Sequence, residues 1–190
     1  MLRCPRKHTK LTLHSGPLTM RVVLLRHGPA EAQDTRRWPD DHSRPLTPKG
    51  EARVRIVSRA LARLEGEIHA ILTSPFARCM RTAELLHEEG ATQAMITGLP
   101  SLAPGRSWRA TLQRLAEETP DSTVVLVGHE PELGKLAGLF LFGAPASLPL
   151  KKAGACAFSF DEAVAAGAGR LRWFLPPRAL ARLAPSRRKA

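Results

Sequence analysis

The chain is predicted to fold as one α/β domain, a three-layer α/β/α sandwich around a mostly parallel sheet. Three observations predict it: short apolar runs of strand length such as Val22–Leu25 and Val124–Val127, helix-length segments between them, and the alternation of the two along most of the chain. With 190 residues and 43% hydrophobic content the chain suits a single compact domain able to bury a sizeable core.

The first strand is expected in MRVVLLRHG, which starts at Met20 and runs into a glycine-containing turn. Residues 1–19 carry Pro5, Gly16 and Pro17 without apolar periodicity, and are expected to form a flexible basic extension. After a polar loop over residues 29–45, Thr47 and Pro48 form a helix start, a hydroxyl able to cap followed by proline at the first helical position. That helix is expected to reach about Leu64, burying Ala52, Ile56, Ala60 and Leu64 and turning Arg53, Arg55, Arg59 and Arg63 outward. A second strand over 69–73 leads through Ser74-Pro75 into a helix over about 76–89. A weaker strand at 94–97, a helix near 108–118, a strong strand at 123–127 and a helix at 132–141 continue the alternation. Residues 155–160 and 170–174 read as closing strands, a candidate hairpin at the sheet edge. The domain is therefore set at residues 20–182, with 183–190 as a basic C-terminal tail.

No run approaches the eighteen apolar residues of a membrane span, and the first nineteen residues lack the apolar centre of a secretory signal, so a soluble cytoplasmic protein is expected. Cys4, Cys79 and Cys156 are odd in number and widely separated, which fits reduced thiols better than a disulfide framework or a zinc site. The net charge of +12 invites a nucleic-acid reading, but its distribution argues against it. Residues 1–21 hold five basic residues and residues 170–190 hold seven, with no acid in either segment; residues 22–169 hold 17 of each sign. Nucleic acid or another polyanion is thus a secondary hypothesis about the two ends, and a monomer is expected.

Open α/β sheets bind ligands beyond the carboxyl ends of their strands. Three polar groups fall there: Arg26-His27-Gly28 after the first strand, Ser74-Pro75 with Arg78 after the second, and Gly128-His129-Glu130 after the strong later strand. Two histidines and two arginines in one crevice suit phosphoryl transfer. Guanidinium groups stabilise the oxygens of the moving group through paired hydrogen bonds, and a neutral imidazole can attack phosphorus directly. The sequence has neither a magnesium-type carboxylate cluster nor a glycine-rich loop ending in Lys-Ser or Lys-Thr, so no metal and no cofactor is expected.

RHG, SPFARCMRTA and VGHEP, in that order and each at a strand end, resemble the three signatures of the histidine phosphatase superfamily, whose fold is phosphoglycerate mutase-like. RPLTPKGE at 44–51, LKKAGACAF at 150–158 and LRWFLPPRAL at 171–180 extend the resemblance to the SixA-type branch over about residues 20–180. Relatives acting on sugar phosphates usually carry a large covering insertion between the second arginine and the second histidine. Here Arg78 and His129 are 51 residues apart, and predicted elements already fill that space.

The resemblance implies His27 as the phosphoryl-accepting nucleophile, with Arg26, Arg78 and His129 around the phosphate. A doubly protonated His129 would serve as a second cation. Glu130 and Glu31 are both candidates for the general acid, Glu130 slightly preferred, because the inserted segment that supplies it in larger relatives is missing. Arg44, at the mouth of the crevice, is a candidate substrate contact. The expected substrate is phosphohistidine in a protein, with a small phosphate ester as the alternative; a polyanion-binding module with a degenerate site is the reading from another class.

Overall fold

The computed structural model describes residues 19–90, 93–144 and 146–185. The basic extension expected over residues 1–19 lies outside the described residues except for Thr19, as does the expected tail beyond residue 185.

The elements follow the expected alternation. Strand β1 (Met20–Arg26) leads to helix α1 (Pro48–Glu65), β2 (Ala70–Thr73), α2 (Ala77–Gly90) and β3 (Met95–Gly98). Then come α3 (Arg109–Ala116), β4 (Thr123–Gly128), α4 (Glu132–Phe142), β5 (Ala155–Phe160), β6 (Arg170–Leu175) and α5 (Pro177–Leu183). They build one six-stranded sheet in the order β3-β2-β4-β1-β5-β6. β1, β2, β3 and β4 run parallel, while β5 and β6 run antiparallel as the expected edge hairpin.

Side chains alternate across the central strands, and this alternation sorts them into two cores. Val23 and Leu25 of β1 and Val125 and Val127 of β4 pack with α1, α2 and α5. Val22, Leu24, Val124 and Leu126 point to the other face, against α3 and α4. Parallel strands covered on both faces need near-continuous apolar sequence, which explains the unbroken runs in β1 and β4.

Helix α1 begins as expected, with the Thr47 hydroxyl accepting from the Gly50 amide at 2.9 Å and Pro48 in the first turn. Its buried face differs from the expected one. Val54, Val57, Ser58, Ala60, Leu61 and Glu65 are buried, whereas Ala52 and Ile56 are exposed. A strict four-residue spacing drifts around a helix of 3.6 residues per turn; the Val54, Val57, Leu61 series alternates steps of three and four and keeps to the core side. Arg55 pairs with Glu88 and Glu89, and Arg59 with Glu89, so part of the arginine row ties α1 to α2 instead of facing solvent alone. Helix α5 has no counterpart in the predicted elements, since its seven residues after Pro176 are too few to display a period.

Truncating Leu61, which is fully buried, to alanine should cost about 2–5 kcal/mol in urea unfolding, while Ile56→Ala should stay within about 0.5 kcal/mol. The opposite ranking would restore the Ala52–Ile56 face as the buried one.

Candidate active site

The order β2-β4-β1 brings three carboxyl-terminal strand ends side by side. Register sets them level: Arg26 pairs with Gly128, and Thr73 with Val127. The ladder continues one step past the strands, with the His27 amide donating to the Gly128 carbonyl at 3.1 Å and the Ser74 amide to the Val127 carbonyl at 2.9 Å. His27, Ser74 and His129 therefore leave the sheet at one height. On the other side, the Ala153 amide donates to the Arg26 and His27 carbonyls at 3.2 and 3.0 Å and fixes the turn before β5 against the same loop.

Two glycines permit this packing. A Cβ on Gly28 would lie 2.5 Å from a methyl of Val54, and one on Gly50 would lie 1.9 Å from the Pro29 carbonyl oxygen. Neither position has room for a side chain, so the loop after β1 seats directly on the first turn of α1.

The two imidazoles meet edge to face with ring centroids 5.2 Å apart, and both are nearly fully buried. The His27 Nδ1 lies 2.7 Å from the Gly28 carbonyl oxygen, which can only accept, so Nδ1 carries the proton and Nε2 keeps its lone pair. Burial is the main cause that lowers the His27 pKa from 6.5 to about 3, aided by His129, Arg78 and Arg26 and opposed by the Gly28 bond.

The other imidazole has a partner for each nitrogen. Arg78 Nη2 lies 3.3 Å from His129 Nδ1 and can only donate, so Nδ1 accepts and Nε2–H points to the Ser74 hydroxyl at 2.9 Å. Cys79 Sγ lies 3.3 Å from the same Nε2. Burial again comes first among the causes that bring His129 to about 3, followed by the Arg78 charge. The expected second cation is thus neutral here, because a donor-only guanidinium occupies the nitrogen that would take the proton.

Arg78 is 3% exposed and heavily engaged. Its Nη1 donates to the Asp41 carbonyl at 2.8 Å and Nη2 to the Asp41 carboxylate at 2.9 Å, and the guanidinium carbon lies 4.8 Å from the Phe76 ring centroid. Asp41 begins a short 3-10 turn, Asp41–Ser43, inside the polar loop. Burial alone would raise its carboxyl, but Arg44 and Arg78 outweigh burial and hold it below its ordinary value. Among the described residues the buried Nε atoms of Arg26 and Arg78 have no hydrogen-bond partner.

Of the residues singled out from sequence, His27, Arg78 and His129 form the contact cluster. Arg26 joins it at longer range: its charge acts on both histidines, while Nη1 donates to the Leu150 carbonyl at 2.7 Å. Arg44 reaches the cluster through Asp41, at 2.6 Å from Nε, and anchors the loop by donating to the Glu31 carbonyl at 2.8 Å. The Glu31 carboxylate faces Arg37 at 3.7 Å. Glu130 Oε1 accepts from the Leu150 amide at 3.0 Å, so it bears on the cluster through the segment that holds Arg26; burial raises its carboxyl above the ordinary range. Among the described residues neither carboxylate hydrogen-bonds an imidazole of the cluster.

Asp41, Phe76, Cys79 and Thr82 were not singled out from sequence. Thr82, one turn beyond Arg78, accepts from the Gly28 amide at 3.2 Å through its hydroxyl. Phe76 stacks edge to face on His129 with centroids 5.0 Å apart, and the exposed His42 lies 4.8 Å from the Phe76 ring. The i, i+3 and i, i+4 spacings of Cys79 and Arg78 to Thr82 on α2 offered a signal for Cys79 and Thr82. Asp41 offered none, since only the tertiary path of its loop brings it to Arg78.

Residues 22–103 match the histidine phosphatase superfamily (branch 1). The chain is 40% identical over 138 residues to an uncharacterised protein of Picosynechococcus sp., covering 71% of this chain and 82% of that protein. Among solved structures, the protein histidine phosphatase SixA complexed with tungstate superposes with a TM-score of 0.72 at 28% identity, over 85% of this chain and 99% of that one. A SixA-type protein from Agrobacterium tumefaciens gives a TM-score of 0.65 at 24% identity, over 83% and 97% of the two chains. A phosphoserine phosphatase from Entamoeba histolytica in complex with 3-phosphoglyceric acid shares the fold at a TM-score of 0.54 and 19% identity, over 85% and 99%.

The two depressed imidazoles make stability pH-dependent. Between about pH 6.5 and pH 3 the unfolded chain binds protons at His27 and His129 that the folded chain refuses, so stability falls as the pH is lowered through this window. In urea titrations the slope from these two groups should approach ~1.4 kcal/mol per pH unit for each histidine, and His129→Asn should remove about half of it. A stability profile flat between pH 5 and 6.5 would contradict buried neutral imidazoles.

Proposed function

From the chain's membership of the histidine phosphatase superfamily, we propose that this protein moves a phosphoryl group from phosphohistidine in a protein onto His27 Nε2, and then to water. The observation that carries the reading is the tautomer of His27: its Nδ1 proton is held by the Gly28 carbonyl, leaving the lone pair on Nε2 of a buried ring that packs on His129 and feels the Arg78 charge. In the first step Nε2 attacks phosphorus as the P–N bond to the substrate imidazole breaks, and the departing nitrogen takes a proton from solvent water. In the second, water attacks the phosphoryl group, the bond to Nε2 breaks, inorganic phosphate leaves and the lone pair is restored.

Arg26 and Arg78 stabilise the phosphoryl oxygens, using their unpartnered Nε donors and, for Arg78, the nitrogens that Asp41 holds in the free protein. Ser74 orients His129, whose Nε2–H is the donor on this side of the cluster. The arriving phosphate supplies the negative charge that favours protonation of His129, whose pKa is low in the free site mainly through burial. A P–N substrate suits a site in which no carboxylate bonds the imidazoles, because a leaving imidazole takes a proton more readily than an alkoxide does. The 28% identity to a protein histidine phosphatase over nearly its whole length supports the substrate class. Attack by an imidazole requires no metal in this scheme.

Brief incubation with a histidine-phosphorylated carrier protein, followed by quenching, should leave an acid-labile, base-stable label on His27. His27→Asn should lose both the label and turnover by about 10³-fold or more, and Arg78→Lys should lose about 10²-fold in kcat/KM. Efficient turnover of small phosphate esters alone would reject the protein substrate and leave the chemistry; label on another residue would reject the nucleophile.

A further inference from the structure

A second concavity opens beside the site, along the exposed side of α1. It is a groove of about 990 Å³ between the start of α1, the start of α5 and the segment before β5. Six of its twelve lining residues are cationic: Arg26, Lys49, Arg53, Lys151, Lys152 and Arg178. The other six are apolar, among them Ile56, Pro177 and Ala181, and none is acidic.

Five of these six, all but Arg178, belong to residues 22–169, a stretch that carries no net charge, so they are concentrated here. Many of the other arginines of the domain are answered by carboxylates. Arg55 and Arg59 meet Glu88 and Glu89, Arg81 meets Glu51, Glu84 and Glu88, Arg114 meets Glu117 and Glu118, and Arg170 meets Asp161. Among the described residues none of the six groove cations forms an ion pair, although carboxylates bind the neighbouring flank of the same helix. Five of them, all but Arg26, are exposed to solvent.

We propose that this groove docks an acidic, amphipathic segment of the partner protein whose phosphohistidine is presented to His27. The inference rests on the phosphoprotein reading of the site. Unpaired solvated cations attract carboxylates and steer encounter, and the apolar floor around Ile56 gives such a segment area to bury. A bare polyphosphate would use the cations but leave that floor idle. The chain's own ends do not fit, since residues 1–18 and 186–190 contain basic residues and no acid. Arg26 joins the two places: it is the last residue of β1, next to His27, and lines the groove. A partner lying along α1 thus ends at the phosphate site.

The test uses the full chain and the double variant Arg53→Glu/Arg178→Glu, neither residue being in the histidine cluster, with circular dichroism and Tm to establish that it folds. A fluorescein-labelled 20-residue Glu/Leu amphipathic peptide, followed by anisotropy, should bind the unmodified protein with an affinity that falls as salt rises, and should bind the variant about tenfold or more weakly. Ile56→Ser should weaken the peptide but not inorganic polyphosphate. With a histidine-phosphorylated carrier protein the double variant should raise KM about tenfold at unchanged kcat, while hydrolysis of phosphoramidate is unaltered. Equal binding by both proteins, no binding by either, or equal loss on phosphoramidate would overturn the docking surface, as would binding of polyphosphate alone. Turnover of phosphoramidate combined with no turnover of the histidine-phosphorylated protein would sink the substrate reading instead, and peptide binding would still decide the groove.

Discussion

The site depends on the backbone register that carries β1, β2 and β4 to the same height before their chains leave the sheet. The bonds from the His27 amide to Gly128 and from the Ser74 amide to Val127 extend the ladders by one residue, so three loops begin from a common plane. A register change of one residue in β4 would turn His129 to the opposite side of the sheet, since successive side chains alternate. That slip is opposed along the whole length of β4, because Val124 and Leu126 pack on one face and Val125 and Val127 on the other. The apolar sequence of the central strands thereby fixes a polar geometry one residue beyond their ends.

Within that frame, burial and arginine act on the imidazoles in the same direction. Desolvation disfavours the imidazolium, and Arg26 and Arg78 disfavour it further. A lone exposed histidine would be partly protonated near neutral pH and would spend part of its time without the lone pair that attack requires. Here the cations that would hold a phosphate also keep the nucleophile candidate neutral, so one arrangement meets both needs. Asp41 balances the cluster in the free protein. It supplies a negative partner to Arg78 and Arg44 where a phosphate oxygen would otherwise be needed, and it comes from a loop instead of a strand end.

Most of the fold was legible because each strand and long helix carries its own local pattern, and the three motifs sit within a residue or two of strand ends. The failures differ in origin. The buried face of α1 was misread locally: an every-fourth series from Ala52 was followed where the three-and-four series through Val54, Val57 and Leu61 keeps to the core side. Asp41 was invisible because nothing local distinguishes it from Asp34 or Asp40 in the same loop. The charge of His129 was expected from the chemistry of an occupied site, whereas burial, followed by the Arg78 charge, decides otherwise in the free site.

The arginines divide by solvation, and the division explains how a chain whose residues 22–169 carry no net charge can still favour anions at one edge. Arg81 and Arg55 spend their charge on Glu51, Glu84, Glu88 and Glu89, holding α1 against α2 and contributing little field at a distance. Arg78 is buried, so its charge acts at short range in a medium that screens poorly. The five outer groove cations are exposed and, among the described residues, form no ion pair, so their field extends to about the Debye length, ~8 Å at physiological salt. A bound carboxylate must therefore settle on the outer cations and not on Arg26, because a carboxylate at Arg26 would cancel charge that the phosphoryl oxygens require. The distances along α1 permit that separation: from position 49 to position 56 the helix rises about 10 Å at 1.5 Å per residue, enough to keep an acidic segment beside the phosphate site without entering it.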